Sequence, residues 1–525
     1  MGESPVREHR TDVVIIGSGA GGGTMAHALA GHDASVLLLE RGDWLPREPE
    51  NADPGAVWHE KRYRSDERWL NRKGREFRPF MHYLVGGNTP MWGAALLRLR
   101  ETDFGEIGYP GGVSPAWPIE YATLAPWYDR AERLFHVHGQ RGSDPTEPPR
   151  GDFPYPPVPH EREVQWAVDG LERQGLHPFP LPLGLIDPGA GGCRLCSTCN
   201  SFPCQYRGKA DADVVAVSEA VRADNVELWT GARAVRLLTD ASGDRVVAVD
   251  VRREDGLVRV YADTVVLSAG AVNSSALLLG SASSAHPDGL ANSSGLVGRN
   301  YMAHLATMME AFHPFRVNPT EFQKTVALND FYLATHERPP LGHIQSQGRA
   351  HAPILKQVIP GLPTAVAQAW IDRGLDWLAM TEDLPRLDNR VTLSSAGQIR
   401  LDYRRNNVDV HKQLVREAVR MLRRLGYWGV VRHSFKDVNT THQCGTAVFG
   451  DDPRTSVLDP LCRTHDVENL YVVDGSFFPS SAAVNPGLTI IAQSLRVADH
   501  LVRDVLAPSR LLAIHQTVTP TGGQP

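Results

Sequence analysis

Apolar positions along the chain fall into two kinds of run. Val13, Val14, Ile15 and Ile16 form an unbroken apolar stretch, the pattern of a strand buried on both faces. A glycine-rich turn, residues 17–23, follows it, and the Ala-rich residues 24–31 predict a helix. Residues 35–39 predict a second buried strand, which ends on Glu40. Residues 227–252 alternate with period two around a turn at Ser242, Gly243 and Asp244, so two half-buried strands are expected there. Residues 264–270 read as another buried strand entering a turn. Further along, residues 390–393 and 399–403 predict strands of an antiparallel sheet, and 408–426 an amphipathic helix. Residues 469–474 return to the buried-strand pattern, and 488–505 read as a closing helix. Residues 58–79 are charged and aromatic without a period, which predicts a surface excursion. Seven prolines within residues 141–160 predict an extended loop.

Composition narrows the class. The 525 residues carry 42% hydrophobic and 22% charged side chains, ordinary globular usage that excludes wholesale disorder. With 54 basic against 60 acidic residues the net charge is −6, so no basic nucleic-acid footprint is expected. No apolar run approaches the ~20 residues of a membrane helix. The opening residues lack the apolar core of a secretory signal, and four of six cysteines crowd into residues 193–204 instead of spreading as a disulfide framework. A cytoplasmic setting is the expectation.

The candidate chemistry begins at the first turn. Gly17, Gly19 and Gly22 spell G-x-G-x-x-G between a strand and a helix, and Glu40 stands 23 residues after Gly17 at the end of the next strand. Such glycines allow a tight turn, a close approach of backbone to a pyrophosphate, and tight packing of helix on strand. The acid suits a ribose diol. Dinucleotide binding follows, with Ala20 and Arg41 flanking the same loops. The motif alone leaves FAD and NAD open.

Other segments separate them. Residues 84–93 read LVGGNTPMWG, residues 441–446 THQCGT, residues 471–476 YVVDGS and residues 483–489 AVNPGLT. In this order, and spanning nearly the whole chain, they resemble the glucose–methanol–choline (GMC) family of FAD-dependent alcohol oxidases and dehydrogenases. Within it the chain looks most similar to pyranose-oxidase-like enzymes, including bacterial sugar and glycoside 3-oxidases. The resemblance implies an α/β architecture: a Rossmann-like FAD-binding domain with a parallel sheet, and a substrate domain on an antiparallel sheet, as in p-hydroxybenzoate-hydroxylase-like folds. The implied division gives residues 1–110, 205–300 and 440–510 to FAD, 111–204 to a cap with the Cys-rich segment, 301–439 to the substrate domain and 511–525 to a tail.

The resemblance also places the site. The family's active-site His falls on His442 and its partner on Asn485. A neutral imidazole, ordinarily with a pKa of about 6.5, can take a hydroxyl proton while a hydride passes to flavin N5. A carboxamide can hold the same hydroxyl without competing for its proton. Gly86, Gly87, Asn88 and Thr89 match the segment along the isoalloxazine. Asp474 and Gly475 match positions near the phosphate and ribityl chain, Pro486 and Thr489 lie in the matched VNPGLT element, and the backbone of Ala234 approaches the adenine. Met91 aligns with the His that binds flavin covalently in pyranose oxidase, so noncovalent FAD is implied.

Cys193, Cys196, Cys199 and Cys204 read C-x2-C-x2-C-x4-C, near the ferredoxin run but not the same. Some multi-subunit members of the family carry an iron–sulfur cluster in such a segment. Others have a similar stretch leading into residues 209–213 without a cluster, and buried thiols are the alternative. The implied reaction is oxidation of a secondary alcohol on a sugar or glycoside to a ketone, with O2 or a quinone as acceptor. Alternatives are a dehydrogenase of another polar alcohol, such as an aminoglycoside, and a flavoprotein lyase. Trp370, Trp377 and the aromatics of residues 321–332 could stack on a sugar or fill the core.

Overall fold

A computed structural model describes residues 6–435 and 440–507; the expected tail at 511–525 lies outside them. Two sheets set the architecture. The first has seven strands. Val226–Trp229, Val36–Leu39, Arg7–Ile16, Gly256–Leu267 and Leu470–Val472 run parallel, and Val246–Arg253 and Arg233–Thr239 continue the sheet antiparallel. The apolar run of residues 13–16 lies at its centre, each residue 5% exposed or less. The helices Ala20–Leu29 and Gly487–His500 pack together against this sheet, their buried positions sharing one core.

The second sheet is antiparallel and has six strands, in the order Gly429–Ser434, Leu305–Phe312, Gly374–Thr381, His343–Ser346, Val326–Leu328 and Phe179–Pro180. Helix Val408–Arg424 covers one face. Val410, Leu414, Ala418 and Leu422 pack there against Met309, Ala311, Leu375, Trp377 and Ala379. Because strand side chains alternate, Met308, Glu310, Asp376 and Leu378 belong to the opposite face.

Two expectations are revised. Residues 390–393 and 399–402 do pair antiparallel, but in a separate four-stranded sheet. Its other members, Trp69–Asn71 and Glu76–Phe77, come from the stretch expected to be a surface excursion. The physical reason is Trp69: its indole is fully buried, and Trp69, Val391, Leu401 and Tyr403 form one core cluster that no periodicity announces. Among the described residues no helix is long and apolar enough to cross a membrane.

Candidate active site

A cavity of about 910 Å³ runs from the first glycine turn to the face of the antiparallel sheet opposite helix Val408–Arg424. At its nucleotide end the sequence motif acts through space as well as conformation. Gly17 has φ +98°, and a Cβ there would lie 2.4 Å from the Ser268 carbonyl oxygen. A Cβ on Gly22 would lie 1.9 Å from the Gly17 carbonyl oxygen, so this glycine closes the helix onto the turn. Gly19, Ala20 and Gly21, the start of helix Ala20–Leu29, face the cavity, an anion-binding arrangement of free backbone N–H groups. Gly87 approaches so closely that a Cβ on it would meet the Gly19 Cα at 2.9 Å.

Glu40 borders the same space. Its Oε2 accepts from the Ser18 backbone N–H (3.2 Å) and hydroxyl (2.6 Å), and its Oε1 from the Gly42 N–H (2.8 Å). Burial raises its pKa, and these bonds work the other way. Arg41 lies 3.6 Å over the Tyr83 ring and pairs with Glu67. Ala232, Arg233, Ala234 and Val235 line the far end. Asp474 spends its carboxylate inside the protein: Oδ2 accepts from the Gly270 N–H and the Ser274 hydroxyl, and Oδ1 from the Ser476 N–H. It thereby ties the turn after Gly256–Leu267 to the end of Leu470–Val472, beside Gly475 on the cavity wall.

The reactive end is assembled by a short antiparallel bridge between Met302 and Cys444, whose backbones exchange two hydrogen bonds of 2.9 and 3.0 Å. The bridge brings His304 beside His442. His442 itself has φ +52°, a left-handed conformation that costs a non-glycine residue roughly 1–3 kcal/mol. Asn485 is presented by the turn into helix Gly487–His500, with Pro486 as its cap.

The hydrogen bonds determine the protonation pattern. His304 Nε2 faces two acceptors, the carbonyls of Ser481 (3.1 Å) and Ala482 (3.0 Å), so it carries a hydrogen. Burial brings His304 down to about 4, so it is neutral and its Nδ1 is a lone pair. The 2.9 Å contact between the two Nδ1 atoms then requires His442 Nδ1 to donate. Burial first, then the neighbouring His304 and Lys324, push His442 well below the ordinary imidazole range. Neutral His442 therefore presents a lone pair on Nε2, next to the Asn485 amide nitrogen at 3.3 Å. Asn485 Oδ1 and the indole Nε1 of Trp92 are buried without a partner, and both residues line the cavity. The sequence supplied an imidazole of ordinary basicity; the structure corrects this downward.

Not every expected residue faces the cavity. Gly86 packs against Asp213, and its N–H donates to the Ser18 hydroxyl. The Thr489 hydroxyl is drawn 2.7 Å from that of Tyr128, and Gly22 serves packing. Asn88 and Thr89 do line it, their side chains also fixing the turn: Asn88 Oδ1 accepts from the His82 N–H, and Thr89 Oγ1 donates to the Gly86 carbonyl. Met91 is buried on the wall. Trp377 lies in the core under helix Val408–Arg424, and Trp370 packs on Phe312, so neither offers a face to the cavity.

Sequence reasoning missed His304, which belongs to no motif. It also missed Lys324, whose Nζ bonds Asn200 Oδ1 at 2.8 Å and whose pKa burial lowers to about 8. Asn200 reveals what the cysteine-rich segment contributes: residues 200–202 form cavity wall. Buried Lys209 holds that segment to the turn at residues 86–91 by donating to the Phe202 (2.8 Å) and Pro90 (3.0 Å) carbonyls. Cys193, Cys196, Cys199 and Cys204 are free thiols. Among the described residues no three His, Cys, Asp or Glu side chains are grouped to hold a metal ion.

Comparison with known proteins places this geometry. Two family models described as GMC oxidoreductase match residues 161–306 and 385–494. Paromamine 6′-oxidase of Streptomyces fradiae is 31% identical, over 94% of this chain and 92% of its own. Fructose dehydrogenase large subunit of Gluconobacter japonicus is 28% identical, over 94% and 98%. The solved structure of pyridoxine 4-oxidase from Mesorbium loti superposes with a TM-score of 0.67 at 19% identity, covering 93% of this chain and 99% of that one, a likeness of fold. The chain belongs to the GMC oxidoreductase family, and is an FAD-dependent enzyme acting on CH–OH groups.

Proposed function

We propose that this protein oxidises an alcohol carbon of a sugar or glycoside to a carbonyl, with His442 as the base and Asn485 orienting the hydroxyl. The observation that carries the reading is the Nε2 lone pair of His442, turned into the cavity by the hydrogen-bond chain through His304. The substrate O–H proton passes to Nε2 as the carbonyl forms. Bound FAD supplies the hydride acceptor, so the C–H electron pair leaves with the hydride. His442 Nδ1–H, already donating to His304, keeps the ring from rotating as it becomes charged. The Asn485 amide N–H can donate to the hydroxyl oxygen, while its Oδ1, otherwise unpartnered, offers an acceptor to a different group of the substrate.

The cofactor residues follow the same division. Gly17, Gly19, Ala20 and Glu40 would hold the pyrophosphate and ribose, Arg41 and Ala234 the adenosine end, and Gly87, Asn88, Thr89, Asp474, Gly475 and Pro486 the remainder. Met91 lacks the nucleophilic nitrogen of a histidyl link, which supports noncovalent FAD. The expected three-part division into FAD, cap and substrate segments accompanies this reading. Six free thiols support a cytoplasmic setting.

Oxidation of a secondary alcohol, as in glycoside 3-oxidases, is one version. A second is favoured by the relatives named for paromamine and 6‴-hydroxyparomomycin C, both 31% identical: oxidation of a polar alcohol on an aminoglycoside. Anaerobic mixing with a panel of monosaccharides, glycosides, aminoglycosides and sterols tests the proposal. Bleaching of flavin absorbance by sugar-like alcohols is expected. Substrate consumption without bleaching would indicate a lyase, and bleaching by sterols alone would remove the sugar reading. Oxygen uptake compared with quinone or dye reduction identifies the acceptor.

A further inference from the structure

The cavity-facing side of the antiparallel sheet holds a charge arrangement that the proposed chemistry does not use. Glu310, in strand Leu305–Phe312, stands directly opposite Asp376 in strand Gly374–Thr381. Directly opposed side chains in an antiparallel pair share one face at close range, so these carboxyls confront each other. Glu310 is 7% exposed and Asp376 5%. Burial, followed by the facing Asp376, raises the Glu310 pKa, and burial raises that of Asp376. Asp376 Oδ2 accepts from the Ala350 N–H at 2.7 Å. Glu310 is different: it lines the cavity, and its buried Oε2 has no hydrogen-bond partner.

Among the described residues no cation of the wall pairs with Glu310, and Arg349 reaches Asp376 only through its charge, which works against the rise in that carboxyl's pKa. Arg349 bonds Asp372 at 3.0 Å, and Lys324 bonds Asn200. A buried, unpartnered carboxyl is costly, and two face to face keep a proton or attract a cation. A sugar hydroxyl could donate to Glu310 but would leave the repulsion between the carboxyls in place. An ammonium group would supply both donors and the missing charge.

We infer that Glu310, backed by Asp376, is a seat for an ammonium group, so that the alcohol oxidised here is carried on an amino sugar. The inference rests on the sugar-alcohol reading above and names the substrate class within it. It also gives the sheet a task separate from the chemistry. His442 and Asn485 act on whichever hydroxyl reaches them, while Glu310 selects the molecule that carries it.

The test compares matched substrates on the FAD-loaded, full-length protein. Anaerobic flavin reduction is measured at pH 7 with D-glucosamine against D-glucose and N-acetyl-D-glucosamine, and with paromamine against its fully N-acetylated form. The expected preference for the free amine is about 30-fold or more in reductive kcat/KM, the scale of a desolvated charge pair. Glu310→Gln, with FAD content verified by its absorbance, should collapse that ratio toward one. Equal reduction by neutral and amino partners, or an amine preference that survives Glu310→Gln, would overturn the ammonium seat while leaving sugar oxidation intact. If no sugar of either kind bleaches the flavin, the sugar reading itself fails and the ammonium seat falls with it. Should Glu310→Gln not retain FAD, Asp376→Asn gives the same comparison, with a reduced amine preference expected and an unchanged one contradicting the inference.

Discussion

The two ends of the cavity treat their carboxyl groups differently. At the nucleotide end the carboxylates are engaged inside the protein: Glu40 with Ser18 and Gly42, Asp474 with Gly270 and Ser476. At the substrate end, atoms of Glu310, Asn485 and Trp92 are buried and unpartnered. The first arrangement is a preformed mould, stable without its ligand. The second keeps hydrogen-bonding capacity in reserve for a ligand that comes and goes, and the protein carries the desolvation cost until that ligand arrives. Binding rigidity and chemical readiness are thus divided between the two ends of one cavity.

The comparison breaks most severely if the mould tolerates distortion. Gly22→Val would push a side chain into the Gly17 carbonyl, which a Cβ alone would already approach to 1.9 Å. The protein should be recovered without FAD, or not recovered in soluble form; a yellow, fully loaded variant would contradict the packing argument. Next comes Glu40→Ala. Losing charge-assisted bonds of about 1.5–3 kcal/mol each should weaken FAD binding by roughly 10–100-fold, measured by titrating apoprotein. Full occupancy after extensive dialysis would remove Glu40 from the site.

Much of the mould was legible in the sequence because its signals are local. Gly17, Gly19, Gly22 and Glu40 lie within one strand–turn–helix–strand unit, and each backbone requirement falls on a residue type that displays it. The substrate face was not legible. His304 acquires meaning only through the Met302–Cys444 bridge, which spans more than a hundred residues. Glu310 lies in residues 305–312, where Met308 and Met309 point to opposite faces yet look alike, so period two is hidden in a strand buried on both sides. Residues 58–79 do lie largely at the surface, but their two short strands stay hidden for a similar reason: the partners of Trp69 come from residues 390–403.

Smaller effects sharpen the substrate end. His304→Phe removes the acceptor for His442 Nδ1–H and frees the ring to turn. Flavin reduction should slow by up to about 10²-fold with FAD content unchanged. His304→Asn, which can still accept, should recover part of the loss, and equal rates in both variants would argue against an orienting hydrogen bond.

The smallest expected effect concerns stability. Glu310 has a raised pKa in the folded state, so between its unfolded value and that raised value the native state binds more protons than the unfolded one. Stability therefore falls as pH rises through that window. The wild-type Tm should decline between pH 5 and pH 8, and Glu310→Gln should flatten part of the decline. An identical slope in both proteins would mean that the carboxyl is not under electrostatic stress.

The central claim is that His442 takes the substrate proton through an Nε2 lone pair that burial keeps available well below pH 6.5. Anaerobic stopped-flow reduction of the flavin, in wild type and His442→Ala across pH 5–9, tests it most directly. The wild-type rate should be nearly flat above pH 6.5 and fall only on the acid side. His442→Ala should keep its FAD, lose about 10²–10⁴-fold in rate, and lose that acid limb. Near-normal reduction in His442→Ala with the wild-type pH profile would place the base elsewhere.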